Sequence, residues 1–421
     1  MYAGASAAEL FTPNPGAEKA ACCNLDDHLL SCISVKVNAD IIFTGQDQDN
    51  HDISFNGVKL SFSNPIDPHG KVYKNKQGDE AIINYSKETG EIIGSLRTHD
   101  GRSYELETCG DGGDYIFKEF DLTPDPDERD DVVYMKDDVV THTAHSDSVS
   151  VHSSSGEPTE ISVMVYYTPA FARKFNGDSN RIALWIDQRF ADTNLAFKNS
   201  RIHAKVVKFC QEEADIPERS GMLYWFRRYK PGWELLNRAD TAALFHVSGG
   251  GTAIFNGRIS VTSKGDAERR YTYAHELAHN LGAEHDRDNA DGVRTWKDNH
   301  GHHLRGGWYS TILAYERGTR RIPYFSNPDV RFNGVPTGVS GYGGANNAKT
   351  IRNNILKASE WGDEKGTCKG ERRTTTRRPR RPRRTTTRRP TKSPVRTTTK
   401  RWNGRRTTTP RDYDCLWTGL C

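Results

Sequence analysis

From about residue 33 to residue 120, apolar and polar positions alternate in short runs broken by turn residues. Ile53 and Phe55 lead into Asn56-Gly57, followed by Val58, Leu60 and Phe62; Ile92 and Ile93 precede Asp100-Gly101, with Tyr104 and Leu106 beyond it. Period-two runs joined by Asn-Gly or Asp-Gly predict β-hairpins, because these dipeptides accept the left-handed backbone that a tight hairpin needs. Residues 1–120 therefore read as a β-rich domain. The alternation then stops: residues 121–157 fill with Asp, Ser, Thr and His, with Pro124, Pro126 and the run Ser153-Ser154-Ser155-Gly156. That composition predicts a linker open to an activating cleavage.

Periodicity resumes at Ile161, Val163, Val165 and Tyr167, a strand pattern. Ile182, Trp185, Ile186 and Phe190 then share one helical face, with Asp178 or Ser179 available as N-cap. Ile202–Phe209 and Ala243–Val247 read as strands, Gly249-Gly250-Gly251 opens a run through Phe255, and Asn346–Trp361 carries Ile351, Ile355 and Leu356 at helical spacing. Interleaved helices and strands predict an α+β domain over residues 158–368. Past Cys368 the chain repeats itself, with RRTTT at Arg372–Thr376, Arg383–Thr387 and Arg405–Thr409. Proline-interrupted repeats of this kind cannot pack a core, so residues 369–410 read as a disordered basic segment and 411–421 as a short end containing Cys415 and Cys421.

Composition sharpens this division. The 421 residues are 35% hydrophobic and 27% charged, with mean hydropathy −0.77, so part of the chain buries no core. No run approaches the roughly 18 apolar residues of a membrane-spanning helix. The net charge of +4 conceals an asymmetry: residues 371–410 hold fourteen Arg and two Lys against the single Glu371. Such a tail suits polyanionic matrix such as sulfated glycans. Specific nucleic-acid binding is not indicated, since Trp402 is the one aromatic among those residues. Eight Cys predict an oxidising compartment and hence secretion, although residues 1–20, with Pro13 and Pro15, show neither a basic n-region nor a continuous apolar h-region. Asn84-Tyr85-Ser86 is a glycosylation sequon, expected to be accessible.

The chemistry concentrates in His275-Glu276-Leu277-Ala278-His279-Asn280-Leu281-Gly282-Ala283-Glu284-His285-Asp286. On a helix His275 and His279 lie one turn apart on one face and can share a metal ion, with Glu276 beside it as a proton acceptor. A third ligand six residues on requires a chain reversal, which Gly282 permits by accepting a left-handed turn, so that His285 swings back. Three imidazoles and an open fourth position suit catalytic zinc. The neighbouring His302 and His303 read as surface residues, His142, His145 and His152 as solvated linker residues, and Asp286, Asp288 and Asp291 miss the EF-hand spacing by one residue.

These twelve residues resemble the HExxHxxGxxHD signature of the metzincin zinc proteases, and Asn280, Leu281 and Asp286 are similar to the adamalysin (reprolysin, ADAM-type) branch. The resemblance implies a zinc metalloendopeptidase that hydrolyses protein or peptide substrates, with a metzincin-type α+β catalytic domain: a mixed twisted sheet with an active-site helix. It implies His275, His279 and His285 as zinc ligands, Glu276 as general base, and Asp286 as a brace of the ligand loop. The family's methionine turn then corresponds to Ser310–Tyr315, with Leu313 at the methionine position, a nearly volume-conserving exchange. Tyr315 is the counterpart of a tyrosine that stabilises the oxyanion in some members, with simple packing as the other reading. The β-rich half becomes an inhibitory prodomain in which Cys109 is a candidate cysteine switch, or else a disulfide partner, and the resemblance is also compatible with pairing of Cys210 with Cys368 and of Cys415 with Cys421. The competing function is a catalytically weak or inactive metzincin fold that binds matrix through its tail.

Overall fold

The computed structural model describes residues 9–13, 29–37, 51–55, 58–62, 71–74, 78–86, 88–109, 114–120, 122, 131–134, 156–229, 238–290, 298–316 and 318–362. The linker histidines, the tail and its cysteines lie outside them. Residues Met1–Arg373 form one compact unit and Thr374–Cys421 a second.

The first sheet contains β1 (Glu9–Pro13), β2 (Leu29–Val37), β3 (His51–Phe55), β4 (Val58–Phe62), β5 (Lys71–Lys74), β6 (Glu80–Tyr85), β7 (Ile92–Arg97), β8 (Ser103–Cys109) and β9 (Asp114–Phe120). Its order is β4-β3-β1-β2-β9-β8-β7-β6-β5, antiparallel except for the parallel pair β1 and β3. Both expected hairpins form: Phe55 faces Val58, and β7 returns as β8 with Gly101 at φ +85° in the connection. Alternation gives this sheet two unlike faces. Tyr73, Ala81, Ile83, Leu96, Leu106 and Phe117 form its own apolar core. Asn84, Ser95, Arg97, Glu105, Glu107 and Lys118 occupy the alternate positions of β6 to β9.

The second sheet is mixed and follows β10 (Asp131–Val133): β11 (Thr159–Tyr167), β12 (Ala204–Glu213), β13 (Thr241–His246), β14 (Gly251–Ile254) and β15 (Ile259–Ser263), in the order β10-β14-β15-β13-β11-β12. β12, β11, β13 and β15 run parallel, while β14 is antiparallel to β15. The helices are α1 (Pro169–Arg173), α2 (Ser179–Asn199), α3 (Met222–Arg228), α4 (Lys264–Arg270), α5 (Thr272–Asn280) and α6 (Asn347–Ala358). Asp178 caps α2, accepting from the backbone N–H of Asn180 at 2.8 Å. The α2 face carrying Ile182, Trp185, Ile186 and Phe190 buries itself with Val163, Val165 and Phe245 in the main core. On the opposite side of the sheet Met164, Tyr166, Phe209 and Phe226 form another cluster, so Ile161 to Tyr166 are buried on both faces. Strand β15 escapes the sequence pattern because Ser260, Thr262 and Ser263 interrupt it, yet all are buried. The brief strand β10, within the region expected to be linker, is too short to register as periodicity.

The polar face of the first sheet joins the two halves into one unit. Arg189 of α2, 1% exposed, contacts the fully buried Glu105 carboxylate and lies 3.5 Å from Asp192. Ser95 donates to Asp192 at 2.8 Å, Trp185 Nε1 donates to Glu268 at 2.7 Å, and Lys264 pairs with Glu268. Burial pushes the Glu105 carboxyl up to about 8 against the opposing charge of Arg189. For Glu268, burial acts in the same upward sense but Lys264 prevails and holds it at about 2. Asn84 donates to Gln188 of α2 at 2.7 Å, which corrects the expectation of an open sequon: its amide is engaged in this junction. Cys32 and Cys210 are each disulfide-bonded.

A buried charge left without its partner costs about 3–5 kcal/mol. Arg189→Met should therefore lower the unfolding free energy of the full chain by about that amount, and a further Glu105→Gln should recover much of it. An unchanged denaturation midpoint for Arg189→Met would show that this ion pair does not hold the halves together.

A buried three-histidine centre

Helix α5 starts from Tyr271 in the left-handed conformation at φ 57° and carries His275, Glu276 and His279, all fully buried. Asn280 ties the helix to the sheet, donating to Ile254 O at 2.9 Å and Ile259 O at 3.0 Å. The chain then reverses at Gly282, φ +83°. A Cβ there would strike the Asn256 side chain and approach Asn354 Nδ2 to 2.8 Å, so the turn needs glycine for space as well as for φ. The reversal brings His285 back: its Nε2 lies 3.0 Å from Nε2 of His275 and 3.0 Å from Nε2 of His279.

The backbone aims two of these rings. His275 Nδ1 donates to Ile312 O at 2.8 Å, and His279 Nδ1 donates to Ala283 O at 2.8 Å. A carbonyl can only accept, so each Nδ1 keeps the proton and each Nε2 lone pair faces the common point. Burial lowers the basicity of all three rings, to about 4 for His279 and well below the usual imidazole range for the other two. Neutral, inward-facing imidazoles are the form in which histidine binds a metal, and these three residues can hold one ion together.

The turn expected beneath the ligands is present. Ala314 N donates to Thr311 O at 2.9 Å, and Leu313 is fully buried in the main core, consistent with an apolar packing role. Tyr315 is half-buried with its ring 4.5 Å from that of His285. Asp286 braces the ligand loop, accepting from Tyr315 N at 3.1 Å and from Asn289 Nδ2 at 2.7 and 2.8 Å. Burial would raise its carboxyl, but His303, Asn289 and Tyr315 N hold it at about 2. His303, 3.7 Å from Asp286, keeps its side chain 31% exposed, and His302 is half-buried with its backbone N–H donating to Thr311 Oγ1 at 2.9 Å, so this loop lies at the surface against the turn. Cys109 ends β8 opposite Asp114; its thiol lies outside the described side chains.

Two features of the site were not apparent from the residues alone. Gly251, at the start of β14, lies against Glu276: a Cβ would fall on its carboxylate and come within 2.5 Å of Thr272 Cγ2. Strand β10 pairs in parallel with β14, Phe255 N donates to Val133 O at 3.0 Å, and Tyr134 donates to Glu284 at 2.6 Å. A sequence signal existed only for Gly251, in the glycine triplet.

The chain is similar to proteins named peptidyl-Asp metalloendopeptidase. It is 25% identical over 286 residues to that of Stenotrophomonas maltophilia strain R551-3, covering 62% of this chain and 66% of the relative. To that of Xanthomonas campestris pv. campestris it is 24% identical over 210 residues, covering 45% and 49%. The chain thus spans somewhat under two thirds of the length of these curated relatives. No family model matches it. Among solved structures, metalloproteinase-II from Bacteroides fragilis aligns with a TM-score of 0.36 and 11% identity over 69% of this chain and 92% of that one, a score at which no common fold is inferred. The three-histidine centre and the named relatives both point to a metallopeptidase.

Gly251→Ala should displace the Glu276 carboxylate without touching a metal-facing nitrogen. We expect metal content near one per chain with peptide hydrolysis reduced at least about tenfold, about 1.4 kcal/mol at the transition state. Wild-type hydrolysis by Gly251→Ala would show that the close approach has no bearing on Glu276.

Proposed function

We propose that this protein is a secreted zinc metalloendopeptidase of the metzincin type, latent until its linker is cut. The observation that carries the reading is the convergence of three neutral imidazoles, His285 Nε2 lying 3.0 Å from Nε2 of both His275 and His279, next in sequence to the buried Glu276. Nitrogen donors in a three-plus-one arrangement favour zinc, and Asn280, Leu281 and Asp286 favour the adamalysin branch. Zinc held by His275, His279 and His285 supplies Lewis acidity and makes a bound water more acidic. Glu276 accepts the proton of the attacking water and returns it to the leaving amine. Its burial beside Gly251 keeps competing solvent from it. Tyr315, whose ring lies 4.5 Å from that of His285 at an angle of 39°, is the phenol we assign to donate to a developing oxyanion. From the name of its relatives we carry over hydrolysis at bonds next to aspartate.

Latency follows from the β-rich half. Strand β10 satisfies the backbone edge of β14, which an extended substrate would otherwise use, and a Cys109 thiolate on zinc is the second route to the same end. The disulfides at Cys32 and Cys210 support an oxidising, extracellular setting. The full chain should cleave casein slowly, and the chain cut between residues 135 and 157 should cleave it at least about tenfold faster. Glu276→Ala should retain metal and lose turnover, and a chelator should abolish activity until zinc is restored. Casein cleavage by Glu276→Ala at the wild-type rate would overturn the mechanism. Cys109→Ser should activate the uncut chain only if the thiolate route operates.

The basic tail tethers the enzyme to sulfated matrix, because its concentrated Arg charge attracts polyanions without any sequence-specific contact. Removal of residues 369–421 should abolish retention on heparin at about physiological ionic strength, where the Debye length is about 8 Å, and leave hydrolysis of a short peptide intact. Equal retention of both forms would sink the tether.

A further inference from the structure

The segment that pairs with the edge of β14 carries a side chain with a site of its own. Asp131, Val132 and Val133 run parallel to Thr252, Ala253 and Ile254, and Phe255 N donates to Val133 O at 3.0 Å. Tyr134, the next residue, sets its ring against that of Phe255, with centroids 5.0 Å apart and planes inclined by 41°. Its hydroxyl donates to Glu284 Oε1 at 2.6 Å. That length falls within the range of about 2.5–2.7 Å for a hydroxyl on a carboxylate, a bond roughly twice as strong as a neutral one.

Both walls of this cleft are fixed by the main chain. Glu284, 6% exposed, lies in the reversal between Gly282 and His285; its N–H donates to Asn299 O at 2.8 Å, and its carbonyl accepts from Gly301 N at 3.0 Å and Asn347 Nδ2 at 3.1 Å. Phe255, also 6% exposed, is followed by Asn256, whose N–H donates to His279 O at 3.0 Å. None of these bonds involves β10, so they hold the two walls in place with or without it. An aromatic face beside a fixed carboxylate matches tyrosine: phenylalanine fills the apolar part but leaves the buried acceptor unpaired, and serine lacks the ring. The sheet order places β10 outermost. When β10 leaves, β14 becomes the edge, and an extended peptide adding in the direction of β10 brings a side chain to the position of Tyr134.

We propose that Phe255 and Glu284 form a subsite for a tyrosine side chain of an extended peptide paired in parallel with β14, and that Tyr134 is its internal occupant. The inference rests on the reading of β14 as the peptide-binding edge of a metallopeptidase and adds to it the side chain that the edge selects. A tyrosine that only filled space would be equalled by phenylalanine; a recognised one is not.

The test uses the full chain with Asp131→Gly, Val132→Ser, Val133→Gly and Tyr134→Ser, loaded with zinc and carrying Glu276→Ala so that the probe is not cut. The probe is the labelled peptide of residues 129–136, RDDVVYMK, beside the same peptide with Phe or Ser in place of its Tyr, and binding is read by fluorescence anisotropy. The Tyr peptide should bind at least about tenfold tighter than the Phe peptide, with the Ser peptide weakest. Adding Glu284→Ala should bring the Tyr and Phe peptides within about twofold of each other. A ratio of dissociation constants does not depend on the folded fraction, so partial misfolding leaves it unchanged. A chain that keeps residues 131–134 should bind the Tyr peptide at least about tenfold more weakly, because the tethered segment competes at high effective concentration. Should the replaced chain fail to fold, hydrogen exchange in the otherwise unaltered full chain decides: Tyr134→Phe and Glu284→Ala should each speed exchange of the Phe255 N–H at least about fivefold, and the double variant should go no further, since both remove the same bond. Equal binding of the Tyr and Phe peptides, a preference undiminished by Glu284→Ala, no saturable binding below about 1 mM, or additive exchange effects overturn the subsite and leave the peptidase reading standing. Casein left uncut by the linker-cut chain that retains Glu276, with the peptides binding as expected, overturns the peptidase reading and leaves a tyrosine-selective peptide site.

Discussion

Three converging imidazole nitrogens, that of His285 held 3.0 Å from those of His275 and His279 in a water-poor interior, are the constraint around which the rest of this half of the molecule is arranged. Lone pairs repel at that distance unless a cation sits among them, so the scaffold must hold the rings in place against their own electrostatics. It does so with backbone carbonyls from different parts of the chain: Ile312 O for His275 and Ala283 O for His279. The first comes from the turn around Leu313, the second from the reversal at Gly282. Because both acceptors are main-chain atoms, their positions depend on packing beneath them, which is why Leu313 and the Asp286 brace are as buried as the ligands.

The approach of β14 to α5 is the second consequence of a crowded site. Asn280 stitches the helix to β14 and β15, and the only residue that fits between β14 and Glu276 is one without a side chain. A strand edge lying beside the helix that carries His275 and His279 is one to which an extended peptide could add by backbone hydrogen bonds. The same edge is a liability when exposed. Strand β10, from the connection between the halves, covers that edge by pairing with β14.

The union of the halves has a different character from their cores. Each sheet buries an apolar cluster of its own, whereas the surface between them combines the charged groups Glu105, Arg189, Asp192, Lys264 and Glu268 with a smaller apolar contact of Val72 and Ile82 on Leu195. Buried ion pairs of this sort contribute modest net stability but penalise any misaligned docking heavily. Such a junction specifies one arrangement of the two halves.

What the sequence determined by itself is whatever depends on local spacing. The hairpins at Asn56-Gly57 and Asp100-Gly101, the amphipathic helix behind Asp178, and the helix near Asn346 were legible from periodicity and caps. The His275–His279–His285 set with Glu276 was legible because one helical turn and one glycine reversal are short-range geometry. Tertiary structure decided the rest. Strand β15 carries Ser260 and Thr262 in its interior and shows its burial only once β13 and β14 flank it. Asn84 became a junction residue because α2, distant in sequence, packs over it. Tyr134 and Glu284 lie 150 residues apart, and no pattern along the chain joins them. They meet because β10 pairs with β14 beside the reversal at Gly282, and long-range convergence of that kind is set by the packing of the whole sheet and not by any local run of residues.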